Sequence, residues 1–109
     1  MKSLETCLEL DFYGRLLTDK MRETLELYYF DDLSLAEIAD TENISRQGVH
    51  DTVKRAVKLL DEYEAKLGLV ARFSVQKEAV DKAISLLKND DMAGALEVLA
   101  ELRNELTTD

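Results

Sequence analysis

Between Leu33 and Leu60 the spacing of a few residues leaves the backbone little freedom. Ser34 followed three residues later by Glu37 is a capping box, which opens a helix by satisfying amides that have no partner in its first turn. Leu35, Ile38 and Ala39 give that helix one inward side. Asn43 stands where a tight turn needs a left-handed residue, a conformation asparagine tolerates, and Ile44 is expected to plug the core beside it. Ser45 is placed to cap a second, longer helix. From Val49 the apolar residues step by four and three through Val53, Ala56, Leu60, Tyr63 and Leu67, a heptad-like seam. A short helix, a tight turn and a long helix make a helix-turn-helix, with residues 33–60 as the motif.

The flanking segments read as helices too. Leu4, Leu8, Phe12 and Leu16, with Cys7, Leu10, Tyr13 and Leu17 beside them, predict a broad apolar stripe on a first helix. Thr18 or Asp19 can cap a second, whose inner side is Leu25, Tyr28 and Tyr29. Only the first half of the long helix is needed by the motif, so the seam of Leu60, Tyr63 and Leu67 must meet either the first helix or a second subunit; partial use in dimerisation is the expectation. Gly68 can end that helix in a left-handed cap, and the domain boundary is placed near 68–73. Ser74 is expected to cap a further helix with Ala79, Val80, Ala83, Ile84 and Leu87 inward. Asp90 or Asp91 is expected to cap the next, with Met92, Ala95, Leu96, Leu99, Leu102 and Leu106 as its stripe. The fold class is therefore all-α: a helix-turn-helix domain over 1–67 and a C-terminal helical hairpin over 74–109, which must dock on something because its leucines would otherwise face water.

Composition narrows the function. With 109 residues, 46% of them apolar and no proline, the chain can bury one modest core and is too small for a large enzyme cleft. The single cysteine, Cys7, cannot close an intramolecular disulfide and reads as a small apolar residue. The amino terminus has no signal-peptide pattern and no apolar run reaches membrane-spanning length, so the expected location is the cytoplasm. No constellation of catalytic or metal-ligating side chains is present, and no enzyme activity, cofactor or metal is expected. One histidine, His50, reads as a polar surface residue, the acidic pairs Asp31-Asp32 and Asp90-Asp91 as caps, and Asp61-Glu62-Glu64 as a solvated face. Tyr28 and Tyr29 at helical spacing read as core rather than as a platform for bases.

The net charge of −9 repels phosphates, yet it is unevenly distributed. Residues 1–44 hold 4 basic against 11 acidic side chains, residues 45–60 hold 4 against 1, and residues 61–109 hold 6 against 11. Of these three segments only the one holding the second helix of the motif is positive, and it is the positive island of this reading. There Arg46, Gln47, His50 and Lys54 are expected to point away from Val49 and Val53, flanked by Arg55 and Lys58. Arginine can bond guanine bidentately, glutamine can do so with adenine, and lysines neutralise phosphates. Asp51 opposes such contacts unless it accepts from a cytosine amino group or pairs with Arg55 one turn later, the commoner case.

The run Asp32-Leu33-Ser34-Leu35-Ala36-Glu37-Ile38-Ala39, followed by Ile44-Ser45-Arg46, Val49, Val53 and Arg55-Ala56, resembles region 4 of bacterial sigma factors, which recognises a promoter element. Residues 1–75 as a whole resemble the YlxM family of small sigma-region-4-like proteins, through Ser45-Arg46-Gln47 with Val49 and Asp51, and Leu59-Leu60-Asp61 before Tyr63-Glu64. The resemblance implies a small, dimeric helical protein whose gene neighbours those of signal recognition particle components, and hence a regulatory role in that pathway with retained capacity to bind DNA or the particle's RNA. Its partners would then include the particle's protein subunit or its receptor. The chain departs from the sigma pattern at Thr41-Glu42, where leucines are usual, at Asn43 in place of the turn glycine, and at Gly48, which costs the helix about 1 kcal/mol relative to alanine. Other readings are a sequence-specific transcriptional regulator and an acidic protein adaptor that binds no nucleic acid.

Overall fold

The computed structural model describes residues 3–107, which form six α-helices and one short 3-10 turn. In order they are α1 (Leu4–Tyr13), the 3-10 turn (Gly14–Leu16), α2 (Asp19–Tyr29), α3 (Leu35–Glu42), α4 (Arg46–Leu67), α5 (Leu69–Lys88) and α6 (Met92–Thr107). No strand occurs among the described residues. The contacts divide the chain into two units between Val70 and Ala71.

Local chemistry starts each of the first four helices. The hydroxyls of Ser3, Thr18, Ser34 and Ser45 accept from the amides of Thr6, Met21, Glu37 and Gly48, and at Ser34 the reciprocal Glu37 bond completes the capping box. Asn43 ends α3 at φ 56°, and the chain turns into Ser45 two residues later. Gly68 ends α4 at φ 64°, and its amide bonds back to Glu64.

The first unit packs α1, α2 and α3 around α4. Leu10, Tyr13, Leu17, Leu25, Ala56, Leu60 and Val70 form one buried cluster, and Ile38, Ala39 and Val49 a second; Val53 packs against both. The α1 stripe differs from the one expected. Leu4, Phe12 and Leu16 are exposed, whereas Thr6, Glu9, Leu10 and Tyr13 face the core. A search for apolar periodicity selects the leucines, but the buried side carries a threonine and a carboxylic acid. Ile44 is likewise exposed rather than a core plug, and lies over Gly48 instead.

The seam of α4 is shared out within the chain. Leu60 is wholly buried in the cluster with α1, and Tyr63 sits against Tyr13, its hydroxyl donating to the Leu16 carbonyl at 3.3 Å. Leu60 and Tyr63 therefore meet the first helix, and only Leu67, 55% exposed, stays on the surface. Asp61-Glu62-Glu64 is not a solvated face throughout, because Glu64 is half-buried and Asp61 faces Glu9. Glu64 accepts from the Tyr13 hydroxyl at 2.6 Å and from the Val70 amide at 2.9 Å, while Leu69 N–H donates to the Tyr13 hydroxyl at 3.0 Å.

Those three bonds explain why α5 begins at Leu69. Its first amides are satisfied by a carboxylate and a phenol from α4 and α1, and a negative charge suits a helix amino terminus. Ser74, expected as the cap, lies inside the helix, which already runs through residues 69–73. Beyond a turn with Asp90 at φ 61°, Asp91 caps α6 by accepting from Gly94 N at 2.9 Å. Among the described residues of this second unit only Ala83 and Ala95 are fully buried, so the expected stripes are mostly not inward: Val80, Ile84, Leu87, Met92, Leu96, Leu99 and Leu106 are exposed. Residues 108 and 109 of the expected hairpin lie outside the described residues.

Candidate nucleic-acid interface

The basic helix is held by what lies beneath it. Val49 is wholly buried against Ile38 and Ala39, and Ala56 and Leu60 are wholly buried toward α1 and α2, so the opposite side of α4 must face water. Arg46, Gln47, His50, Lys54, Arg55 and Lys58 are all exposed. Gln47, His50, Lys54 and Lys58 follow one another at steps of three and four, which places them in one row along the helix. Arg46 lies at the edge of that row nearest α3, and Arg55 on its far flank.

At the amino-terminal end, Arg46, Gln47 and His50 line a shallow depression of about 470 Å³ with Leu35 of α3. Leu35, expected to face inward, is half-buried and also lines this depression. The cap fixes the first turn, since Ser45 Oγ accepts from Gly48 N at 2.9 Å, while the preceding amides of Arg46 and Gln47 belong to the turn that has no intrahelical acceptor. A methyl group on Gly48 would come within 3.2 Å of that hydroxyl and 3.7 Å of Ile44 Cδ1. Crowding at the cap thus gives the glycine a local reason.

Asp51 does not pair with Arg55. It accepts from Gln47 Nε2 at 3.0 Å, with His50 Nδ1 at 3.7 Å from the same oxygen. Helical side chains lean toward the amino terminus, which brings Asp51 over residue 47 rather than residue 55. The arrangement orients the Gln47 amide and takes up one of its two N–H donors, leaving the other N–H and Oε1 for further bonds.

α3 is tied to α2 by a group the motif did not point to. Glu42, with its side chain 8% exposed, accepts from Thr24 Oγ1 at 2.8 Å and pairs with Lys20 Nζ at 2.7 Å. The departure from leucine at this position was the visible signal. A charged tie replaces apolar packing there, and Thr24, wholly buried, is its inner anchor. Tyr28 and Tyr29 meet edge to face with centroids 5.0 Å apart and pack against the two clusters, which makes them core residues rather than base platforms. Among the described residues no group of three or more His, Cys, Asp or Glu is placed to hold a metal ion, and no helix is long and apolar enough to cross a membrane.

A family model described as "Putative helix-turn-helix protein, YlxM / p13 like" matches residues 2–98. The chain is 46% identical over 96 residues to a UPF0122 protein of Desulforamulus reducens, across 88% of this chain and 82% of that one. It is 43% identical over 95 residues to a UPF0122 protein of Symbiobacterium thermophilum, covering 87% and 89% of the two chains. A UPF0122 protein of Lacticaseibacillus casei is 50% identical over 86 residues, 76% of each chain.

Proposed function

Because the chain belongs to the YlxM/p13-like helix-turn-helix family, we propose that it is a non-enzymatic regulatory protein that binds nucleic acid with the exposed face of α4. The observation that carries this reading is the row of Gln47, His50, Lys54 and Lys58, with Arg46 and Arg55 beside it, on a positively charged segment, residues 45–60, of a chain whose net charge is −9. In this reading Arg46 and Gln47 read base edges from the first turn of the helix, while Lys54, Arg55 and Lys58 neutralise phosphates further along. The acidic remainder of the chain discourages binding away from that face.

The finer reading is a cytoplasmic regulator of the signal recognition particle pathway, its ligand either DNA or the particle's RNA. Its support is the family resemblance and the gene neighbourhood that the resemblance implies. An adaptor role toward a basic protein partner has the net charge in its favour.

Affinity measured against salt separates these. For duplex DNA each phosphate contact steepens the plot of log affinity against log salt by about 0.9, so Lys54→Ala/Lys58→Ala should flatten the parent's slope by about 2. A parent slope near zero, or one unchanged in the double variant, sinks nucleic-acid binding by this face. A pull-down from lysate with and without nuclease then distinguishes the partners: a complex that survives nuclease is held by protein.

A further inference from the structure

A carboxylate stands inside the basic face of α4, and the arginine expected to neutralise it does not. Asp51 follows Gln47 by four residues and precedes Lys54 by three, on the side of the helix opposite the buried Val49 and Ala56. Its side chain is 58% exposed. Gln47 Nε2 and His50 Nδ1 both meet Oδ1, at 3.0 Å and 3.7 Å, so the carboxylate is held from one side while Oδ2 is left to accept from a ligand.

Such a group works against backbone binding, because it repels phosphates where its neighbours attract them. It also has a narrow choice of partner among bases. A carboxylate accepts and cannot donate. In the major groove cytosine offers the N4 amino group alone, adenine sets its acceptor N7 beside N6, and guanine and thymine present acceptors. The acid therefore fits one base edge and opposes two others.

We propose that Asp51 determines the sequence specificity of this face, accepting from the amino group of a cytosine in the major groove of duplex DNA and rejecting sites that place guanine or thymine there. The inference rests on the reading of the α4 face as a nucleic-acid interface. Shape selects the duplex. From Gln47 to Lys58 the row is straight and about 16 Å long, and the major groove of B-form DNA is wide enough to admit an α-helix, whereas that of A-form RNA is deep and narrow. Single-stranded RNA is commonly read by stacking on aromatic rings. The six candidate residues include no Phe, Tyr or Trp, and Tyr28 and Tyr29 are packed in the core.

Selection by the full chain from a duplex DNA pool with a randomised core, read by sequencing, should yield sites with cytosine at one fixed position. Asp51→Asn keeps the shape and an acceptor for Gln47 but adds a donor. It should cut the preference for that cytosine over guanine by about fivefold or more, and at the same time raise affinity for an alternating adenine-thymine duplex, which contains no cytosine. Glu62, exposed on the same side of α4 about 16 Å further along, separates base reading from charge. Glu62→Gln should raise affinity for the cytosine-free duplex and leave the cytosine preference unchanged. The helical circular dichroism of both variants should match the parent. A cytosine preference intact in Asp51→Asn, one eroded equally by Glu62→Gln, or a parent that binds duplex DNA with no cytosine position overturns the proposal. Binding to a random RNA pool but to no duplex also overturns it, while leaving nucleic-acid binding by the face standing. Binding to neither pool overturns both.

Discussion

Glu9 shows what one side chain does on the wrong-looking face of a helix. Only 3% exposed, its Oε1 meets no hydrogen-bond donor among the described residues. Burial, then a hydrogen bond to Asp61 and the charges of Asp61, Glu5 and Glu64, raise its pKa from 4.5 to about 7. The protonated acid donates to the Asp61 carboxylate, so α1 and α4 are joined by a shared proton at this point. Below pH 4.5 Glu9 is protonated whether the chain is folded or not. Between 4.5 and about 7 only the unfolded chain ionises there, so stability falls as pH rises, and it levels off above that window. Glu9→Gln should remove this slope and stabilise the protein above neutral pH by about 1–2 kcal/mol after allowance for solvent screening. Urea unfolding of both proteins at either end of the window checks this; parallel pH dependences for variant and parent would contradict it. The sequence offers Glu9 no such role, because a glutamate one residue from an apolar stripe reads as solvated until α4 is set against it.

At the scale of elements, the turn between α3 and α4 was legible because its chemistry is local. Ser34, Glu37, Asn43 and Ser45 act within three or four residues of themselves, and each does what its position predicts. Asn43 holds φ 56°, a conformation that costs most L residues about 1–2 kcal/mol. Asn43→Val, whose branched Cβ tolerates that conformation least, should therefore lower stability by at least that amount, while Asn43→Gly should stay within about 0.5 kcal/mol of the parent. Thermal melts of the two variants decide it, and equal losses in both would show that the side chain rather than the dihedral matters. The start of α5 was illegible for the opposite reason. Its amides are satisfied by Tyr13, 56 residues away from Leu69 in sequence, and by Glu64, whose carboxylate reaches forward past Gly68. A serine at 74 had the right chemistry, but the backbone was already helical before it.

Across the molecule, burial is concentrated in the first unit. Tyr13, Leu25, Ile38, Val49, Ala56 and Leu60 are essentially closed to solvent there, against Ala83 and Ala95 alone among the apolar residues of the second. Deeply buried amides open only on global unfolding, whereas thinly packed segments open locally. Hydrogen exchange in dilute solution should accordingly be slowest around Val53–Leu60 and faster throughout α6, and protection of α6 equal to that of α4 would contradict this account. The positive island and its six candidate residues needed only charge and helical period to be proposed, and all six are exposed. Sequence by itself determined the all-α class, the helix-turn-helix and the caps of α3 and α4, because those depend on composition, period and neighbours within one turn. Only the tertiary structure decided which face of α1 is inside, that Leu60 and Tyr63 belong to the first helix, that Asp51 holds Gln47, and that the hairpin's large side chains stay open to water. Each of these depends on which helix lies against which. Apolar periodicity marks a helix as amphipathic, but the facing surface chooses the angle at which it is buried, and here that surface accepted a threonine and a protonated glutamate ahead of leucines.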